Sequence, residues 1–142
     1  MLSENKNSTA ETMLFVYGTL RPGFGHPLGI RLAGSGSHQG SAWVGGCLFD
    51  QGDYPVALPD PLGRFRIVGE LFSLEVGNSL WAELDAYEDF DPGDPEASLF
   101  ERCGVEATRP SGAAVSAEIY WYRASVRGMR RIESGDYLKF AI

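Results

Sequence analysis

Glu88 is the charged residue best placed for proton chemistry, because it falls on the apolar face of a helical run. At about 100° per residue, Leu80, Leu84 and Tyr87 with Trp81 fill an arc roughly 120° wide, and Glu88 points between the directions of Leu84 and Trp81. Glu83 and Asp85 fall on the two flanks, where a solvated acid belongs. A carboxylate on an apolar helix face loses hydration, and at the C-terminal end it also meets the negative pole of the helix dipole. Both effects raise its proton affinity. A carboxyl group so tuned accepts and returns protons near neutral pH. A second reading stays open at this point: the helix frays before Glu88, and the carboxylate turns to water or pairs with an arginine such as Arg102.

The other candidate is the turn Tyr17-Gly18-Thr19-Leu20-Arg21, which follows the apolar strand Leu14-Phe15-Val16. Gly18 frees the backbone to bend, Thr19 adds a hydroxyl, and Pro22-Gly23 closes the loop. Successive amide N–H groups at the end of a rigid strand suit a carboxylate, a phosphate or a developing oxyanion. An ordinary strand-to-turn connection has the same residue types. A phosphate-binding loop is excluded, because Phe24 and Gly25 stand where Lys and Ser or Thr are needed. A dinucleotide-binding loop is excluded as well: Gly34, Gly36 and Gly40 follow no recognisable strand and have the wrong last interval.

The elements that must position these residues are short. Residues 27–33 form a helix begun by Pro27, and residues 34–40 a loop. Residues 41–49 form a strand that Gly45-Gly46 should bulge or bend, and 56–58 a short extended piece. Along residues 66–74 neither face is cleanly polar, which suits the wall of a small barrel. The helix over residues 80–88 is capped by Asn78 or Ser79, and an acidic, Pro-rich loop over residues 89–98 follows it. Residues 99–108 and 114–122 then form a hairpin around the turn at 109–113. One face of its second strand is core. The other offers Tyr120 and Tyr122 to a pocket or to cross-strand packing. Residues 131–138 close the chain against this framework.

The Ser, Asn, Glu and Thr of residues 1–12 predict a polar, disordered tail, and a length of 142 residues predicts one domain, over residues 13–142. The 18 glycines and 8 prolines favour many turns and short strands over long helices. A net charge of −7 argues against a nucleic-acid partner, and Arg127, Arg130 and Arg131 are expected on a solvated or salt-bridged surface. Cys47 and Cys103 sit in apolar, strand-like stretches without metal-ligand spacing, as small core residues of a reducing compartment. The first dozen residues lack an apolar targeting segment, and no later stretch is long enough to span a bilayer, so a cytoplasmic protein is expected.

Taken in order, several segments resemble the gamma-glutamylcyclotransferase-like family, which includes gamma-glutamylamine cyclotransferases and plant avirulence-induced proteins. Phe15-Val16-Tyr17-Gly18-Thr19-Leu20-Arg21 is similar to the opening signature. Gly46-Cys47-Leu48-Phe49-Asp50 with Gly52-Asp53-Tyr54-Pro55 is similar to the second block, and Val68-Gly69-Glu70-Leu71-Phe72 to the third. Leu84-Asp85-Ala86-Tyr87-Glu88 resembles the segment bearing the catalytic glutamate, and Ile132-Glu133-Ser134-Gly135-Asp136-Tyr137 the closing block.

The resemblance implies an α+β fold, a small mixed β-barrel flanked by short helices, with the ligand between the Tyr17 loop and the Glu88 helix. It implies conversion of a gamma-glutamyl amino acid or gamma-glutamylamine to 5-oxoproline and a free amine. The substrate's own α-amine attacks its γ-carbonyl, so no cofactor or metal is expected and the partner is a small gamma-glutamyl molecule. Glu88 becomes the general acid and base, which takes the first of its two readings. Tyr17, Gly18, Thr19 and Leu20 become the turn that grips the substrate, with Tyr122 lining the pocket and Arg21 either holding a carboxylate or lying exposed on the loop. Asp89 departs from the family, which often has glycine there, and the Pro-rich loop after it is longer; both bear on the pocket mouth. Two other classes remain in view: a non-catalytic binding or regulatory module on the same fold, and a structural protein presenting an aromatic face to a partner.

Overall fold

The computed structural model describes residues 10–141. In chain order the elements are β1 (Glu11–Val16), α1 (Pro27–Ser35), β2 (Ser37–Asp50), β3 (Pro55–Pro59), β4 (Arg66–Glu75), α2 (Leu80–Tyr87), β5 (Phe100–Thr108), β6 (Ala114–Tyr122), β7 (Arg130–Ile132) and α3 (Tyr137–Ala141). Single 3-10 turns lie at Pro22–Phe24 and Pro95–Ala97. Strands β2, β4, β1, β6 and β5 lie side by side, and Trp43 of β2 pairs with Thr108 of β5 to close them into a barrel. All its neighbours are antiparallel except β1 and β6, which are parallel at Leu14 and Glu118. The barrel is therefore mixed.

The apolar run of β1 follows from its place between β4 and β6, with core on both sides. Phe15 joins a cluster drawn from all five barrel strands, including Val44, Ile67, Leu71, Ala107 and Ile119. Leu14 and Val16 face the other way, into a second cluster with Leu32 of α1, Leu80 and Leu84 of α2, and Phe72. Each of these two helices begins at a side-chain acceptor. His26 Nδ1 takes the Leu28 N–H at 3.0 Å, with Pro27 at the first helical position, and Asn78 Oδ1 takes the Leu80 N–H at 2.8 Å, whereas Ser79 makes no such bond.

Several expectations are corrected. Residues 34–40 are not a loop: α1 continues to Ser35, and β2 begins at Ser37. Gly45-Gly46 neither bulges nor interrupts β2. The strand instead changes partner there, since Gly45 is the last residue opposite β4 and Gly46 the first opposite β3. A Cβ on Gly46 would stand 2.6 Å from Ile67 Cδ1 and 2.8 Å from the Leu58 carbonyl oxygen, so close packing demands the glycine. The register shift lies earlier, between His38 and Gly40. Of the polar tail expected over residues 1–12, residues 1–9 lie outside the described residues, and Glu11 and Thr12 pair with Glu75 and Leu74 in β1. Cys47 and Cys103 are free thiols, each half-buried rather than in the core. Arg127 and Arg130 are exposed and Arg131 reaches Glu133 at 3.8 Å, which agrees with the solvated or salt-bridged surface expected, and Arg130 and Arg131 also stack on Phe140 and Phe65. Among the described residues no helix is long and apolar enough to cross a membrane.

Candidate functional site

The end of β1 and the end of α2 meet at a cavity of about 140 Å³. Its walls are the turn from Tyr17 to Leu20, Tyr54-Pro55, Tyr87-Glu88-Asp89, Leu99-Phe100 and Tyr120, over a floor of Phe15 and Val16. The Arg21 N–H donates to the Gly18 carbonyl at 3.0 Å and closes the turn. A Cβ on Gly18 would stand 2.7 Å from Pro55 Cγ, so the close approach of the two loops requires glycine. The amides of Gly18, Thr19 and Leu20 have no backbone acceptor among the described residues. All three residues line the cavity.

Glu88 ends α2, its N–H bonded to the Leu84 carbonyl at 3.0 Å. The next two amides lock that end: Asp89 N–H donates to the Ala86 carbonyl at 3.1 Å and Phe90 N–H to the Asp85 carbonyl at 2.8 Å. This is a Schellman motif, with Asp89 at φ 55° in the left-handed position that usually belongs to glycine. Fraying before Glu88 is thereby ruled out. Pairing with Arg102 is ruled out too, because that guanidinium is engaged elsewhere. Glu88 reaches solvent only in part, while protein packs around the rest of its carboxyl group. Burial first, and the charge of Asp85 second, push its pKa up to about 8. Burial also raises the Tyr17 and Tyr120 phenols well above their usual range, Tyr17 further by the Glu88 charge and Tyr120 by its bond to Asp85.

Asp85 is not the solvated flank expected from the helix alone; it is 6% exposed. Arg102 grips it twice, Nε on Oδ1 at 2.9 Å and Nη2 on Oδ2 at 3.1 Å, and the Tyr120 hydroxyl donates to Oδ1 at 2.6 Å. The third arm of Arg102 meets Glu118 at 2.5 Å, and its Cζ lies 4.7 Å from the centre of the Trp81 ring. The hairpin register carries a signal for this. Arg102 is opposite Tyr120 and Glu118 is two residues away on the same strand, so all three share one face.

Other side chains fall differently from expectation. Arg21 does not line the cavity: it is 5% exposed and bound to Glu70 and Asp136. Tyr122 also lies outside the cavity, its ring 5.1 Å from that of Phe100, which is a lining residue. Tyr120 takes the place assigned to Tyr122. Tyr87, expected within the apolar arc, is 39% exposed at the rim, where its hydroxyl lies 2.5 Å from Thr19 Oγ1. That bond joins α2 to the turn. Tyr54, Pro55, Leu99 and Phe100 are cavity residues with no role assigned from sequence. Among the described residues, no group of three or more His, Cys, Asp or Glu side chains could hold a metal ion.

The sequence pattern of the family described as gamma-glutamyl cyclotransferase, AIG2-like, matches residues 14–139. No curated protein matches the chain. Among solved structures the chain is similar to YkqA from Bacillus subtilis, at 24% identity and a TM-score of 0.67, over 92% of this chain but 40% of that one. The chain thus spans less than half the length of that protein. It is also similar to protein ytfP from Escherichia coli, at 29% identity and a TM-score of 0.62 over 92% and 100% of the two chains. An aig2-like protein from Mus musculus matches at 22% identity and a TM-score of 0.66, over 87% of each chain.

Proposed function

Because this chain belongs to the gamma-glutamyl cyclotransferase, AIG2-like family, we propose that its cavity converts a gamma-glutamyl amide to 5-oxoproline and a free amine. The observation that supports this reading is Glu88, of raised proton affinity, in one cavity with the amides of Gly18, Thr19 and Leu20. The substrate's α-nitrogen bonds to its γ-carbon, and the bond from that carbon to the amide nitrogen breaks. Glu88 takes one proton from the α-ammonium before attack and delivers it to the leaving nitrogen, so one carboxyl group serves both steps in turn. The second proton, shed as the ring nitrogen becomes the lactam N–H, goes to the released amine, which departs as an ammonium. The turn amides hold the glutamyl carboxylate or the carbonyl oxygen as negative charge develops there. Confinement in a small cavity keeps the flexible chain in its ring-closing conformer.

The test is a panel of gamma-glutamyl amino acids and gamma-glutamylamines incubated with the protein, with 5-oxoproline and the amine measured by mass spectrometry. Equimolar release of both is the expected result. Ligands that raise the melting temperature without turnover of any substrate would make the cavity a binding site instead.

As a base, Glu88 must be ionised, so kcat/KM is expected to climb with pH and level off above about 8. A profile flat from pH 6 to 9 would remove Glu88 from that role. Apart from Glu88, Asp89 is the one charged residue at the cavity wall among the described residues. Leaving amines that carry a carboxylate beside the departing nitrogen should therefore react more slowly than neutral or cationic ones, by about fivefold for one exposed charge pair. Asp89→Asn should narrow the gap; an unchanged ratio would assign the preference to shape.

A further inference from the structure

We infer that Arg102 is a positioning residue for this chemistry: by fixing and neutralising Asp85 one helical turn before Glu88, it sets how readily Glu88 exchanges its proton. The inference deepens the reading of Glu88 as proton carrier and rests on it. Residues 85 and 88 share a helix face, and both oxygens of Asp85 are occupied by protein donors. Arg102 itself does not line the cavity, so it acts through Asp85 alone. Glu118 and the Trp81 ring hold the guanidinium in place.

Other groups around Glu88 leave this pair in control. Tyr87 and Asp89 flank it in sequence; Tyr17 comes from the β1 turn, Tyr54 from the turn before β3, and Tyr120 from β6. Burial keeps all four phenols protonated, above their usual range. Among the described residues the fixed charges of this set are then Asp85 and Asp89, with Arg102 offsetting part of the first, since the Asp85 charge still raises the Glu88 pKa.

A tie that only holds α2 to the hairpin would respond alike to loss of either partner. An electrostatic device responds with opposite signs. Asp85→Asn removes the negative charge and should move the Glu88 titration midpoint to lower pH. Arg102→Met leaves Asp85 uncompensated and should move it to higher pH. Each displacement is about one pH unit for charges this close. Arg102→Lys keeps the charge without the fork and should leave the midpoint near that of the parent.

The midpoint is read in two ways. One is the pH profile of kcat/KM for 5-oxoproline release. The other is NMR titration of the resting protein labelled with ¹³C-glutamate, in which the Glu88 signal is identified by its loss in Glu88→Gln. Opposite displacements establish the inference. Displacements of the same sign, or none, overturn it and leave Arg102 a structural tie. Should Arg102→Met fail to fold, a midpoint in Asp85→Asn that stays at the parent value overturns it equally. The NMR midpoint needs no turnover, so an inactive parent with opposite displacements refutes the proposed reaction alone, and an active parent with fixed midpoints refutes the inference alone.

Discussion

Glu88→Gln is expected to lower the rate of 5-oxoproline release by about two to four orders of magnitude and, at pH 8, to raise the melting temperature. The amide keeps the shape of the carboxyl group but cannot carry the proton between the two nitrogens. The stability gain follows from the raised pKa of Glu88, about 8 in the folded chain. Between the usual carboxylate range and that value the folded chain holds a proton that the unfolded chain has released. Stability therefore falls as pH rises through this window, by about 1.4 kcal/mol per pH unit wherever the two states differ by a whole proton. A glutamine side chain does not titrate and has no such dependence. The gap in melting temperature between variant and parent should widen from pH 5 to pH 8 and stay constant above it. Misfolding cannot imitate this result, because it lowers activity and stability together. A variant that melts below the parent at pH 8 would make Glu88 a structural residue, and one that keeps the parental rate would end its catalytic assignment.

Asp85 within α2 and Glu88 at its end differ in how far they can be read locally. Helical period puts Glu88 on the apolar face of one short helix, but it leaves a frayed end or an arginine partner open, and the family resemblance chooses between them. Asp85 is misplaced by the same reasoning. Its ion-pair and hydrogen-bond partners, Arg102 and Tyr120, lie 17 and 35 residues further along, on a hairpin that packs against the flank of α2. Gly45-Gly46 poses a similar problem: a glycine pair in a strand marks either a bulge or a close approach, and only the positions of β3 and β4 decide. Asp89 carries no local sign that it ends a helix in the left-handed conformation. Aspartate tolerates that geometry without announcing it. Strand existence is the easier part, since β1 and β4 are buried on two sides and advertise it by apolar runs.

Arg21→Met is expected to destabilise the fold by about 3–5 kcal/mol, the range for removing one partner of a buried ion pair. From sequence this arginine is either a substrate clamp or an exposed loop residue. The structure gives it a third role. Its Nε and Nη2 reach the two oxygens of Glu70 at 2.7 and 3.0 Å, and Nη1 reaches Asp136 Oδ1 at 2.8 Å. Burial opposes its charge, but the bonds to Glu70 and Asp136 outweigh that and hold its pKa above the usual range. Asp136 Oδ1 also accepts the Leu138 N–H at 3.1 Å at the start of α3. One guanidinium thus joins the turn after β1 to β4 and to the closing helix. Methionine has a comparable stem but leaves two carboxylates facing each other without a cation. Arg21→Lys should lose less, since the charge remains while the fork that spans both acids does not. Thermal melts check the order parent, Arg21→Lys, Arg21→Met. The opposite pattern, an unchanged melting temperature with a KM raised for substrates that keep their glutamyl carboxylate, would return Arg21 to the substrate.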